Sequence, residues 1–238
     1  MSTGRAAPDR TPVPAAGHEV YSERVLRIYD PLVLWLTNSA VWRCPRRTMR
    51  ALYDRNVGAR HLELGAGTGY FLDRCRFPSA EPRLHLVDLH PDTLRYSAHR
   101  LARYSPTVQE ADVLQEFPLA AGPFDSAALN MLLHCLPGDG LRAKAGVLAR
   151  AAAAVRPGGR VFGSTVLAHG VPVNPAARAM LRNHNQRGIL HNAGDSLSDL
   201  QEIVTVCLTD VRVRTRGCMG LFEGTVPAPT PDADAQDR

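Results

Sequence analysis

The residues best suited to chemistry lie in one short run, His61-Leu62-Glu63-Leu64-Gly65-Ala66-Gly67-Thr68-Gly69. Three alternating glycines after an apolar stretch permit positive φ and bring bare backbone against a ligand. Two classes of small molecule compete for such a turn. A dinucleotide fingerprint requires G-x-G-x-x-G, and Tyr70 stands where its third glycine should be. The spacing is G-x-G-x-G instead, with Glu63 two places before the first glycine. A carboxylate there repels a pyrophosphate and suits a ligand that bears an ammonium group. This speaks against NAD.

The elements that must position this turn follow from periodicity. Arg60–Leu64 reads as a strand running into the glycines, and a short helix starts near Tyr70 and stops before Pro78. Further strands are expected at Leu84–Asp88, Val108–Val113, Phe124–Leu133 and Arg160–Leu167, with a closing hairpin of Val211–Arg216 and Met219–Val226. Between them, Leu94, Ala98 and Leu101 mark one buried helical stripe, and Leu141, Ala145, Leu148, Ala152 and Val155 another, ended by Pro157-Gly158-Gly159. Ser196 with Asp199 opens a helix that carries Leu200 and Val204. Upstream, Tyr21, Val25, Ile28 and Leu32 recur at helical spacing, and Pro45 suits the first turn of a helix bearing Met49, Leu52 and Tyr53. The expected fold is α/β: a single Rossmann-like, doubly wound, mostly parallel seven-stranded sheet with a C-terminal β-hairpin and an N-terminal helical extension. The expected organisation is a disordered tail over residues 1–17, a helical extension or lid over 18–56, a ligand-binding domain over 57–226 and a second tail over 227–238.

Glu63, Gly65, Gly67 and Gly69 together resemble the first motif of the class I S-adenosylmethionine-dependent methyltransferases, and the likeness continues downstream. Asp88, nineteen positions after Gly69, matches the acidic residue that ends the family's second strand. Ala111-Asp112-Val113 matches the position near the adenine amino group. Phe124-Asp125 through Leu133-His134, and Arg156-Pro157-Gly158-Gly159-Arg160-Val161, are similar to the family's later motifs. The resemblance spans residues 60–167. It implies that S-adenosyl-L-methionine is the cofactor, with its methionine part wrapped by Glu63, Gly65, Ala66, Gly67, Thr68 and Gly69. It implies that Asp88 holds the ribose hydroxyls, that Asp112 and Val113 meet the adenine, and that Leu89 and Asn130 also bind the cofactor. A carboxylate accepts both ribose hydroxyls at once, which is the physical reason for an acid at Asp88.

His134, at the expected end of the fourth strand, is the candidate catalytic base, or else a histidine that only lines the pocket. His184 and His191, after the fifth strand, are candidates for acceptor binding. Among Tyr21, Tyr29, Trp35 and Trp42, which form a lid or staple helices to the sheet, Tyr29 and Trp42 are the acceptor-contact candidates. No metal site is expected, because the five cysteines lack CxxC spacing, and their odd number argues against a disulfide framework. The run Leu32–Leu36 is far short of a membrane span. No secretory leader opens the chain, so a cytoplasmic protein is the expectation. The net charge of +5 hints at nucleic acid, but 27 arginines and one lysine are dispersed rather than clustered. The expected activity is methyl transfer to an oxygen or nitrogen of a small-molecule, specialised-metabolite acceptor by in-line displacement, in a monomer or homodimer. The alternatives are an RNA-modifying methyltransferase and a catalytically silent cofactor-binding partner protein.

Overall fold

A computed structural model describes residues 39–119 and 121–228. The first element is helix α1 (Arg46–Asn56), followed by β1 (Arg60–Leu64), α2 (Tyr70–Arg74), β2 (Arg83–Asp88), α3 (Pro91–Arg100) and β3 (Thr107–Glu110). The second half comprises β4 (Phe124–Asn130), α4 (Ala145–Ala154), β5 (Val155–Val166), α5 (Pro175–Gln186), α6 (Leu197–Cys207), β6 (Thr209–Arg216) and β7 (Met219–Thr225). These strands form one seven-stranded sheet in the order β3-β2-β1-β4-β5-β7-β6. Strands β1 to β5 are parallel, and β7 runs antiparallel to both β5 and β6. The chain therefore reverses its winding between β1 and β4, and the carboxyl ends of those two strands open a crevice.

Alternation along each strand sends side chains to two separate cores. Leu62 and Leu64 of β1 join Val147, Leu148 and Ala151 of α4 and Leu200 and Val204 of α6. On the other face Met49, Leu52 and Tyr53 of α1 pack with Phe71, Leu94 and Phe162. Tyr53 stacks on Phe71 at 5.5 Å between ring centroids and meets Phe162 edge-on at 5.0 Å. His61 and Glu63 are buried polar residues and occupy the alternate positions of β1, on the α1 side. Among the described residues, no helix is long and apolar enough to cross a membrane.

Three elements differ from the sequence expectation. The third strand stops at Glu110 rather than Val113, which leaves Asp112 and Val113 in the following loop. The fourth ends at Asn130 rather than Leu133, because Met131 takes φ 57° and turns the chain into a 3-10 turn over Leu133–Cys135. The long helix expected from Leu141 is a 3-10 turn, Arg142–Lys144, followed by the shorter α4. Pro157-Gly158-Gly159 then lies within β5, where the register with β4 jumps from Phe124↔Val155 to Ser126↔Arg160.

Helix α5 was not anticipated, although Asn174-Pro175 is a start signal: Asn174 accepts from the Ala177 N–H, with Pro175 as first residue. The expected cap on α6 is present, with the Asp199 N–H donating to Ser196 Oγ at 3.1 Å. Tyr21, Tyr29, Trp35 and most of both chain ends lie outside the described residues.

Candidate functional site

The carboxyl ends of β1, β2 and β4 enclose a cavity of about 350 Å³. Its floor is the glycine turn. Gly65, Gly67 and Gly69 take φ of 74°, 50° and 69°, left-handed values that an L side chain resists. A Cβ on Gly65 would also meet Leu132 Cδ1 at 2.8 Å, a side-chain tip that can move, so it is the backbone conformation that selects glycine there. The Gly65 N–H donates to Val87 O at 2.8 Å, which ties the turn to the end of β2. Ala66 and Thr68 line the cavity between the glycines.

Two acidic side chains reach the same space from adjacent strands. Asp88 accepts from the Gly67 N–H at 3.4 Å through Oδ2 and from the His90 N–H at 3.0 Å through Oδ1. Burial raises its pKa against the pull of those backbone donors. Each oxygen still has lone-pair capacity for a ligand hydroxyl. Leu89, 54% exposed, borders the cavity beside it.

Glu63 is 3% exposed, and every neighbour aims a donor at it. Tyr53 Oη donates to Oε1 at 2.6 Å, and His61 Nε2 lies 3.1 Å from Oε2. His61 Nδ1 faces Ser126 Oγ at 2.7 Å, and that hydroxyl already accepts from the Gly58 N–H. With Glu63 ionised, the consistent assignment is the Nε2–H tautomer, with Ser126 donating to Nδ1. Asn130 hydrogen-bonds Tyr53 and accepts from Ser164 Oγ at 2.6 Å. Burial nevertheless raises the Glu63 pKa. The carboxylate is therefore oriented, dry and short of positive charge, which is the state that favours an ammonium ligand.

Asp112 and Val113 line the cavity from the loop after β3. That loop is held by the Leu114 N–H on Asp112 Oδ1 at 2.9 Å and by Arg150 Nη2 on Val113 O at 2.5 Å. All the residues that the sequence assigned to the cofactor thus border one cavity. The acceptor candidates Trp42, His184 and His191 do not. Trp42 is 4% exposed and packs in the core beside α1. His184 lies on α5 with Nδ1 donating to Met180 O at 3.0 Å, and His191 is half-buried in the loop that follows; neither borders the cavity. Tyr29 falls outside the described residues.

His134 is also absent from the cavity wall. The turn at Met131 folds it beneath β5, where its Nδ1 accepts from the Val166 N–H at 3.3 Å. Burial, and then the Lys144 charge, push its pKa down to about 3. His134→Ala is expected to cost about 2 kcal/mol of stability through the lost packing and the orphaned Val166 N–H. Turnover should stay within about threefold of the parent, since no reacting group is touched. Thermal unfolding and steady-state rates check both.

Sequence reasoning missed the residues that complete the wall: Tyr53, Tyr70, Met131, Cys135, Pro137 and Ile189 among them. Tyr53 sits on an apolar helical stripe and reads as core, which it also is. Ile189 follows a run of polar residues whose path depends on α5. The arrangement joins a carboxylate-lined end, fit for a ligand with hydroxyls and an ammonium, to an apolar end. Glycine backbone, Glu63 and Asp88 together suit S-adenosylmethionine in charge and shape.

Residues 62–161 match the sequence profile of a family described as "Methyltransferase domain". The chain is 42% identical over 206 residues to demethylluteothin O-methyltransferase of Streptomyces thioluteus, covering 87% of this chain and 89% of that protein. It is 34% identical over 213 residues to the physcion biosynthesis cluster O-methyltransferase of Aspergillus chevalieri, covering 89% and 95%. Among solved structures, Haemonchus contortus "Phospholethanolamine N-methyltransferase 2", in complex with phosphomonomethylethanolamine and S-adenosylhomocysteine, shares the fold at 13% identity. The TM-score is 0.66, over 92% of this chain and 62% of that one.

Proposed function

The chain belongs to the class I S-adenosylmethionine-dependent methyltransferases, and we propose that it moves the methyl group to an oxygen of a small, largely apolar acceptor. The observation that carries this reading is the continuity of the cavity. The same cavity that holds Glu63 and Asp88 is also lined by the apolar side chains of Met131, Leu136, Pro137 and Ile189. Oxygen as the acceptor atom is supported by the relatives from Streptomyces thioluteus and Aspergillus chevalieri, each named as an O-methyltransferase. The second of them belongs to a biosynthesis cluster, which supports a specialised metabolite as the acceptor.

Bound cofactor supplies an electrophilic methyl on a sulfonium that carries its own leaving group. The protein's work is to orient and to exclude water. Asp88 accepts from the ribose hydroxyls while its own position is fixed by the Gly67 and His90 N–H groups. Glu63 pairs with the ammonium, held by Tyr53 and His61. Asp112 and Val113 would meet the adenine, and Leu89 would line the cofactor's cleft beside Asp88. The apolar end would hold the acceptor oxygen in line with the methyl, as the phenolate or enolate left once its proton has passed to water, and would keep water from competing for the methyl.

Calorimetry with S-adenosylmethionine and S-adenosylhomocysteine, followed by a product screen over hydroxylated aromatic and enolic compounds, tests this. Micromolar binding of both, with methyl ethers formed, is the expected result. Binding without transfer to any acceptor would favour a silent cofactor-binding protein, and transfer to amines alone would overturn the choice of oxygen.

A further inference from the structure

The two ends of the cavity come from different parts of the chain. Up to Pro137 the described lining comes from β1, β2, β4, helices α1 to α3 and the loops after β1 to β4; beyond it, the contribution is Gly188 and Ile189. These two follow α5, where Gly188 takes φ 65° and the Ile189 N–H donates to His184 O at 2.9 Å. Neither contact ties them to the sheet.

That tie lies two residues further on and out of the cavity. The His191 N–H donates to His134 O at 2.8 Å, and His191 O accepts from Lys144 Nζ at 2.7 Å. Lys144 is the chain's one lysine. Its Nζ also donates to Asp195 Oδ1 at 2.9 Å and Oδ2 at 3.1 Å, and neither side chain has exposed surface. All of the ammonium's contacts therefore fall on the 191–195 segment. Asn192 fastens the same segment to the strand, its Nδ2 donating to Val166 O at 2.9 Å. A buried ion pair seldom stabilises more than apolar residues of equal volume, and its attested use is to specify one arrangement over others.

We propose that Lys144 and Asp195 are positioning residues for the acceptor. They strap the 191–195 segment to the 3-10 turn that precedes α4, which keeps His191 seated on the turn after β4 and so sets how far Ile189 stands from that turn and how wide the apolar end is. The proposal rests on the reading of that end as the acceptor site.

Lys144→Met alone would strand the Asp195 carboxylate in the interior, so the informative variant is the pair Lys144→Met with Asp195→Leu, which removes both charges and keeps the volume. Three readouts apply: S-adenosylhomocysteine affinity by calorimetry, amide exchange along the chain, and affinity for 1-naphthol, a flat apolar phenol, in protein saturated with S-adenosylhomocysteine. In the pair variant, S-adenosylhomocysteine should bind within about twofold of the parent and 1-naphthol at least about tenfold more weakly. The Leu190 and His191 amides should exchange at least about a hundredfold faster, with the β1 amides unchanged. Unchanged exchange and unchanged 1-naphthol binding would overturn the proposal. So would an equal loss of S-adenosylhomocysteine affinity, since the pair would then support the whole domain. Exclusion of 1-naphthol by the parent protein would overturn it through the acceptor assignment. Failure of the parent to bind S-adenosylhomocysteine would instead refute the cofactor site, a distinct result.

Discussion

Replacing Asp88 by alanine is expected to weaken S-adenosylhomocysteine binding by about two orders of magnitude. Each of two ribose hydroxyls loses a charged acceptor, and hydrogen bonds to charged groups contribute about 1.5–3 kcal/mol each. A net loss of about 3 kcal/mol corresponds to roughly a hundredfold in Kd. The fold should survive, because Asp88 is half-buried at the crevice rim and its other partners are the Gly67 and His90 N–H groups, which water can reach. Asp88→Asn, which keeps the shape but turns one acceptor into a donor, should lose about tenfold. Calorimetry on both variants decides it: unchanged affinity in Asp88→Ala would remove Asp88 from the ribose.

Glu63→Gln should cost cofactor affinity about 30-fold through the lost charge on the ammonium, and it should also change the pH dependence. Burial holds the Glu63 pKa above the ordinary carboxylate value in the free protein. A bound cation favours the ionised form and brings that pKa back down. Between the two values the free protein carries more protons than the complex, so binding releases protons and affinity rises with pH. Above the free-protein value the slope vanishes. Asp88, raised by burial as well, adds to the same trend only so far as its ligand contacts favour the ionised form. Glu63→Gln should therefore flatten most of the slope. Calorimetry in buffers of different ionisation enthalpy, at about pH 5 and about pH 8, reads the released protons directly. Equal proton release in parent and variant would exclude Glu63 as the linked group.

The cofactor end was legible in sequence because its requirements are local. Positive φ at Gly65, Gly67 and Gly69 is demanded within five consecutive positions, and Asp88 ends the very next strand. The strand alternation that puts Leu62 and Leu64 in one core and Glu63 on the other face was equally local. The acceptor end was not. His134 looked like a strand-end residue, but one left-handed residue, Met131, carried it under β5. Ile189 lines the cavity from a segment whose anchors lie far off in sequence, Lys144 45 positions earlier among them. Tyr53 met both demands with one side chain, its ring packing in the core and its hydroxyl on Glu63. Periodicity reports the ring alone.

The route by which Tyr53 reaches Glu63 has a consequence for the protein's birth on the ribosome. Tyr53 and Glu63 leave the tunnel close together, but Phe162 and Ser164, which press on Tyr53 and fix Asn130, lie about a hundred residues later. At about 5–20 residues per second, synthesis separates them by roughly 5–20 s. Throughout that interval the glycine turn exists as sequence without the strand that completes its surroundings. The nascent chain must reach β5 unaided by its own ligand, and stabilisation by the cofactor begins only once that strand has left the tunnel.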